Sequence, residues 1–338
     1  MRLRWVMIVL AVVLIIVHSA WAASQADDER SASLLPDALL RNIGTDGPGT
    51  PIVVFNPLSW ARTDAVEMES PYPGEGPHVI ITDERGRVCP ARCLGDRLYF
   101  TARDVPAIGY KVFWANRVSK PAPASVKCTD ELLENQFFRV RIDKHAGVVT
   151  CIYDKLNSRY LMPPGRFSAL LQVVPGSGRP HDLRGDSTAV MMDSGPARGM
   201  VILDHGYEKS PFVQEVALHD GVPRLDVRLT SDWRQSHGPD GSTLRVAFAT
   251  DVRSRNATIG WIERPQGSPN TPALRWVDCS ARGYGVSLMV DQGMSVTATD
   301  GVLMATLLKP RAGSEAIDED ASELRYSLYA HRGDWRAG

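Results

Sequence analysis

Glycine and proline cut this chain into short pieces. Its 338 residues include 28 Gly and 23 Pro, a density of breakers that forbids long helices. What survives between the breakers has the period of a strand. HVIITD, RLYFTA and YKVFWA are β-branched or aromatic runs separated by turn signals such as ERGR and LGD, at roughly the 8 to 12 residue spacing of a sandwich. Ahead of them TPIVVFNPLSW drives an apolar strand into a polar corner at Asn56, Pro57 and Trp60. Residues 50–118 are therefore expected to form a small β-sandwich. SKPAPAS (119–125) is rich in proline, lacks a hydrophobic period, and reads as a stiff linker.

The pattern then restarts. In LENQFFRVRIDKHAGVVTCIYDKLNSRYL, Phe138, Val140 and Ile142 alternate with Arg139, Arg141 and Asp143, which buries one face of a strand. KHAG turns the chain, VVTCIYD returns it, and DKLNS forms a second hairpin turn before RYL. Further strands are expected at RFSALLQVV, ARGMVILD, FVQEVAL, RLDVRLTSDW, TLRVAFATDV, GVSLMV and RYSLYA. Residues 126–338 read as one large antiparallel sandwich, so the fold class is all-β.

The first residues address the compartment. Arg2 and Arg4 precede an apolar run from Trp5 to Val17, and Ala20-Trp21-Ala22 offers small residues on either side of a cut. This is the grammar of a secretory signal over residues 1–22, and the run falls short of the ~20 apolar residues of a membrane span. The expected location is secreted or periplasmic, with no membrane association after cleavage. Residues 23–49 read as a polar tether with a weak amphipathic turn at LLPDALLRNI.

Charge and ligand chemistry narrow the partners. A formal net charge of −1 gives no footing for nucleic acid or an anionic membrane. Five cysteines include Cys89 and Cys93, which flank a possible turn at PAR and could pair; Cys128, Cys151 and Cys279 are isolated on strands. No Cys-x-x-Cys occurs, and the eight histidines show no metal-ligand spacing. No cofactor is expected in this chain.

Six segments in order carry a resemblance: VVFNPLSWARTDAVE, VPAIGYKVF, LENQFFRVRIDKHAGVVTCIYDK, DWRQSHGPDGSTLRVAF, IERPQGS followed by RWVDCSARGYGVSL, and HRGDWR. Together the chain resembles the C-terminal, non-barrel region of glycoside hydrolase family 38 α-mannosidases. The resemblance implies a small β-sandwich followed by a large supersandwich like galactose mutarotase, a fold associated with carbohydrate binding. It also implies what is missing. Relatives carry their chemistry, including a zinc, on an N-terminal β/α barrel, for which there is no room between the signal and Ile52. The resemblance thus points to an exported carbohydrate-binding or accessory protein of α-mannoside metabolism, whose partners are mannose-containing glycans. The alternatives are a subunit that assembles with a separately encoded barrel chain, and a nonfunctional fragment of a split gene.

No residue is nominated as catalytic. Retaining hydrolysis needs two carboxyl groups ~5–5.5 Å apart; Asp226, Asp232, Glu263 and Asp278 only adjoin aromatic residues. Sugar binding needs flat aromatic faces and a few planar hydrogen-bonding groups. WIERPQGSPNTPALRWVD offers Trp261, Glu263, Arg264, Arg275, Trp276 and Asp278, and DWRQSH adds Trp233 and His237. The bland alternative is that the same tryptophans plug the sandwich core or its ends, and a further one is that they form a barrel-docking surface.

Overall fold

The structure is a computed structural model that describes residues 42–336, apart from 73, 75–77, 163–164, 178, 186–187, 234–240, 253–255, 260–261, 266–270, 274–275, 282, 292–293, 300 and 309–321. Among the described residues every regular element is a strand, and every pairing is antiparallel. The chain divides into two compact units. The first holds residues 1–126 with the short segments 195–198 and 219–222, and the second holds the remainder.

In the first unit, six strands follow in order: β1 (Thr50–Asn56), β2 (Arg62–Glu69), β3 (His78–Asp83), β4 (Val88–Leu94), β5 (Arg97–Val105) and β6 (Gly109–Val118). They hydrogen-bond in the order β1-β6-β3-β4-β5-β2. The sheet folds on itself at β4, whose Val88–Pro90 half pairs with β3 and whose Ala91–Leu94 half pairs with β5. Pro90 sits at that handover, where a missing backbone donor costs the ladder least. Ile52, Val66, Ile81, Leu98 and Phe113 meet in the core between the two halves.

The polar corner at Asn56 has a defined task. Its buried amide donates to the carbonyls of Trp60 (2.7 Å) and Pro106 (3.0 Å), and its oxygen accepts from the Leu58 N–H (3.1 Å). One side chain thereby closes the Pro57–Trp60 turn and ties it to the turn between β5 and β6. Asp83 anchors the β3–β4 turn in the same way, accepting from the backbone of Arg85 and Arg87 and from the side chains of Arg87 and Lys111. Desolvation works to raise its pKa, but these donors outweigh it and hold the carboxyl at about 2.

One sequence expectation is overturned in this unit. No turn separates Cys89 from Cys93; both lie on the uninterrupted strand β4. Four residues of extended chain separate their Cα atoms by ~13 Å, about twice the reach of a disulfide, and both thiols are free. PAR lacks a glycine or asparagine to turn on, and the cross-strand partners of β3 and β5 hold it extended.

The second unit begins with β7 (Lys127–Thr129), β8 (Leu132–Glu134), β9 (Phe138–Asp143), β10 (Val148–Asp154) and β11 (Arg159–Met162), a five-stranded meander in the order β11-β10-β9-β8-β7. The alternation read from FRVRID is reproduced residue by residue, with Phe138, Val140 and Ile142 buried and Arg139, Arg141 and Asp143 exposed. Then come β12 (Leu170–Val174), β13 (His181–Asp182), β14 (Thr188–Ser194), β15 (Arg198–Tyr207), β16 (Ser210–His219), β17 (Arg224–Ser231) and β18 (Thr243–Ala249). The last are β19 (Asn256–Ile259), β20 (Ile262–Pro265), β21 (Thr271–Ala273), β22 (Trp276–Ala281), β23 (Tyr284–Val290), β24 (Met294–Thr299), β25 (Val302–Leu308) and β26 (Ser322–Arg332).

These later strands form two sheets, of order β13-β12-β18-β25-β24-β21 and β14-β15-β16-β17-β26-β23-β22-β19-β20. Their apolar faces meet at Phe248 and Tyr326, whose rings lie 5.7 Å apart. Tyr326 brings a hydroxyl into this core, and Gln214 satisfies it at 2.8 Å while reaching the Ala169 carbonyl at 3.1 Å. A buried hydroxyl left unpaired would cost ~1–3 kcal/mol, so the glutamine is the partner the tyrosine requires. This is the large antiparallel sandwich that the strand pattern implied.

Candidate functional site

Of the candidate residues, Trp276 and Asp278 fall on the face of the nine-stranded sheet opposite the one that carries Tyr326. Cross-strand register aligns Asp278, Ser287, Tyr329 and Arg224 in one row. Directly opposed residues share a face, so sequence positions spread over more than a hundred residues converge here.

Asp278 is the centre of this face, and it is only 1% exposed. Its Oδ2 lies 2.7 Å from His331 Nε2 and accepts from Ser287 Oγ at 2.8 Å, while its Oδ1 accepts from Ser280 Oγ. His331 Nε2 is also 3.3 Å from Ser287 Oγ, and its Nδ1 is 3.4 Å from the Arg332 carbonyl. The imidazole comes close to β23, which is possible because residue 285 is glycine: a Cβ there would stand 2.2 Å from His331 Cε1 and 2.4 Å from Ser280 Oγ. Two of the segments that carry the family resemblance, RWVDCSARGYGVSL and HRGDWR, therefore meet at one cluster. The turn after His331 is held by Gly333, at φ 75°, whose N–H donates to the Gly283 carbonyl at 2.8 Å.

The grouping of serine, histidine and aspartate invites comparison with a nucleophilic triad. The geometry does not perform that chemistry. A triad needs the carboxylate on one imidazole nitrogen and the hydroxyl on the other, whereas here both meet the same Nε2. The cluster also contains a single carboxylate, so it cannot supply the acid and nucleophile of glycoside hydrolysis. Its physical role is to satisfy a buried charge, since an unpaired carboxylate would be costly at this depth.

The remaining candidates are placed as follows. Trp276 precedes Asp278 by two residues on the same face of β22; it is half-buried, and its ring lies 5.3 Å from that of Trp335, over which Arg336 sits at 4.3 Å. Trp233 lies beyond the end of β17, 8% exposed, its ring 5.7 Å from Phe212. Glu263 and Arg264 occupy β20, paired with Thr258 and Ala257. His237, Trp261 and Arg275 lie outside the described residues. Sequence reasoning missed Ser287 and His331. The signal for them was the recurrence of a small polar residue in GYGVSL and a histidine in HRGDWR, within segments already singled out.

Elsewhere in the second unit a shallow cleft of about 310 Å³ is lined by Glu131, Arg141, Asp143, Lys144, His145 and Thr150. Lys144 is held there by Glu131 at 2.9 Å and Asp130 at 3.4 Å. Among the described residues no group of three or more His, Cys, Asp or Glu is placed to hold a metal ion, and no helix is long and apolar enough to cross a membrane.

Fold and face together define an all-β, antiparallel sandwich protein whose central polar cluster is closed on itself. Residues 133–312 match the family model of the glycosyl hydrolases family 38 C-terminal domain, and the chain belongs to that family. Alpha-mannosidase 2C1 of Mus musculus is 24% identical over 87% of this chain and 29% of its own length. Alpha-mannosidase 2C1 of Homo sapiens is 30% identical over 38% of this chain and 13% of its own length. A solved α-mannosidase from Enterococcus faecalis V583 superposes on 91% of this chain and 47% of its own, with a TM-score of 0.66 at 15% identity, a likeness of fold. The chain thus spans less than a third of the curated relatives it matches.

Proposed function

We propose that this chain is an exported accessory protein of α-mannoside metabolism, working as the non-barrel region of an α-mannosidase beside a catalytic barrel supplied by a separately encoded chain. The observation that carries the reading is the family match over residues 133–312, joined to a fold shared with a solved α-mannosidase over 91% of the chain. The closure of the Asp278 cluster supports the same division of labour. The most catalytic-looking group in the described residues spends its hydrogen bonds on itself, and the Trp276 ring is tilted against that of Trp335. The signal-like sequence of residues 1–22 supports a secreted or periplasmic setting.

The test is reconstitution. The purified chain is expected to leave an aryl α-mannoside intact, and mixing it with a barrel chain encoded nearby is expected to give a stable complex with zinc-dependent turnover. A barrel chain fully active without it, and failing to co-purify with it, would refute the assembly. Turnover by this chain alone would refute the accessory role.

A further inference from the structure

We infer that the solvent face of the five-stranded meander is a carbohydrate platform, a site distinct from the residues considered above. The proposal rests on the reading that the chain serves α-mannoside metabolism, and it specifies where a glycan lies. Register places Tyr160, Tyr153, Arg139, Glu134 and Lys127 opposite one another across β11, β10, β9, β8 and β7. They form a single row on one face, crossing the whole sheet. At ~4.8 Å per strand, the step from Tyr160 to Glu134 covers ~14 Å, enough to underlie a short oligosaccharide.

The row has two chemically different halves. At the edge, the rings of Tyr153 and Tyr160 meet at 5.2 Å and 69°, an edge-to-face pair that keeps the rings from covering one another's faces. Tyr160 is 44% exposed. Next to them, Arg139 grips Glu134 with two parallel bonds, Nε to Oε2 at 3.1 Å and Nη2 to Oε1 at 3.0 Å, and Lys155 Nζ approaches Oε1 at 2.7 Å. A guanidinium carries five N–H donors in a rigid plane, and the carboxylate uses two.

This combination matches the needs of a pyranose. Its apolar C–H face wants an aromatic surface, and its neighbouring hydroxyls want planar donors and acceptors held still. The bidentate clamp supplies the second without a further loss of rotamer freedom on binding. A docked protein fits the row poorly. The apolar part is two rings, far below the ~800 Å² per partner of a stable protein interface, and charged groups adjoin it directly.

Calorimetric titration of the full chain with mannose oligosaccharides tests the platform. Tyr160→Ala is expected to weaken binding about tenfold, and Tyr160→Phe to stay within about threefold of wild type. Arg139→Lys, which keeps the charge and removes the fork, is expected to weaken it as well. Trp60→Ala, at an exposed position in the first unit, serves as a control and should change nothing. If the folded wild type binds and Tyr160→Ala binds equally well, the platform is wrong while a glycan-binding role survives. Silence from wild type with every mannose oligosaccharide also overturns it, and leaves the barrel reconstitution to decide the functional reading on its own. Self-association that Tyr160→Ala abolishes would assign the face to a second copy of the chain and equally refute the proposal.

Discussion

Two polar sheet faces in the second unit use similar residues in opposite ways. On the nine-stranded sheet, Asp278, His331, Ser287 and Ser280 are buried or half-buried and their bonds point at each other. On the five-stranded sheet, Arg139, Glu134 and Lys155 are also paired, but beside half-exposed tyrosines and at a surface that solvent reaches. Residue type alone therefore does not locate a site. What separates the two faces is whether donors and ring surfaces remain available after the internal bonds are made. The closed face should matter for folding and little for binding, and the open face the reverse.

The largest expected effect is at the closed face. Asp278→Ala removes the acceptor shared by buried Ser287 and His331 and half-buried Ser280 and should destabilise the protein by about 3–5 kcal/mol, the cost typical of breaking a buried pair. Asp278→Asn, which keeps the shape, should cost less. Urea unfolding gives both numbers. Should either variant stay fully stable yet lose glycan binding, the distinction between the faces fails.

Gly285→Ala comes next. Its Cβ would overlap the His331 ring and Ser280 Oγ, and His331 has no room to yield without loosening its bond to Asp278. A cost of about 2 kcal/mol is expected, read as a lower urea midpoint. An unchanged midpoint would mean that the imidazole is not held close against β23.

The sequence made the strands legible because their signal is local. FRVRID alternates in sequence as it does in burial, and NPLSW announces the Asn56 corner with its own turn residues. The Asp278 cluster was half legible: the aspartate and the neighbouring tryptophan stood in a conspicuous segment, but His331 lies 53 residues further on, and nothing local says that β22, β23 and β26 are adjacent. The tyrosine row was hidden for another reason. Register shifts between Ile152 and Tyr153, so the facing of Tyr153 and Tyr160 depends on an irregularity that a two-residue period cannot anticipate. Cys89 and Cys93 misled because a sequence gap looks like a turn until its partners on both sides are known.

The open face makes a pH-dependent prediction. Arg139 first, then Lys155, stabilise the Glu134 carboxylate against the desolvation that opposes it, and its pKa falls from 4.5 to about 2. A folded pKa below the unfolded value contributes stability that is fully present above about pH 4.5 and disappears as pH falls toward 2. Glu134→Gln should therefore cost about 1 kcal/mol at pH 7, the upper range for a solvent-accessible pair. The gap between wild type and variant should close over that acidic window. Urea midpoints at pH 7, 4 and 2.5 would show it; a gap independent of pH would mean that the clamp acts through packing.

The smallest effect sharpens the comparison most, because it asks whether the tyrosines are there for the fold. A cross-strand aromatic pair adds roughly 0.5 kcal/mol beyond what each ring contributes separately. A double-mutant cycle with Tyr153→Ala and Tyr160→Ala should return a coupling of about that size in unfolding experiments. The same cycle read in glycan affinity should give a coupling well above it, because the two rings would share one ligand. If instead the coupling appears in folding and vanishes in binding, the rings exist to hold the edge strand β11 in register, and the open face is as structural as the closed one.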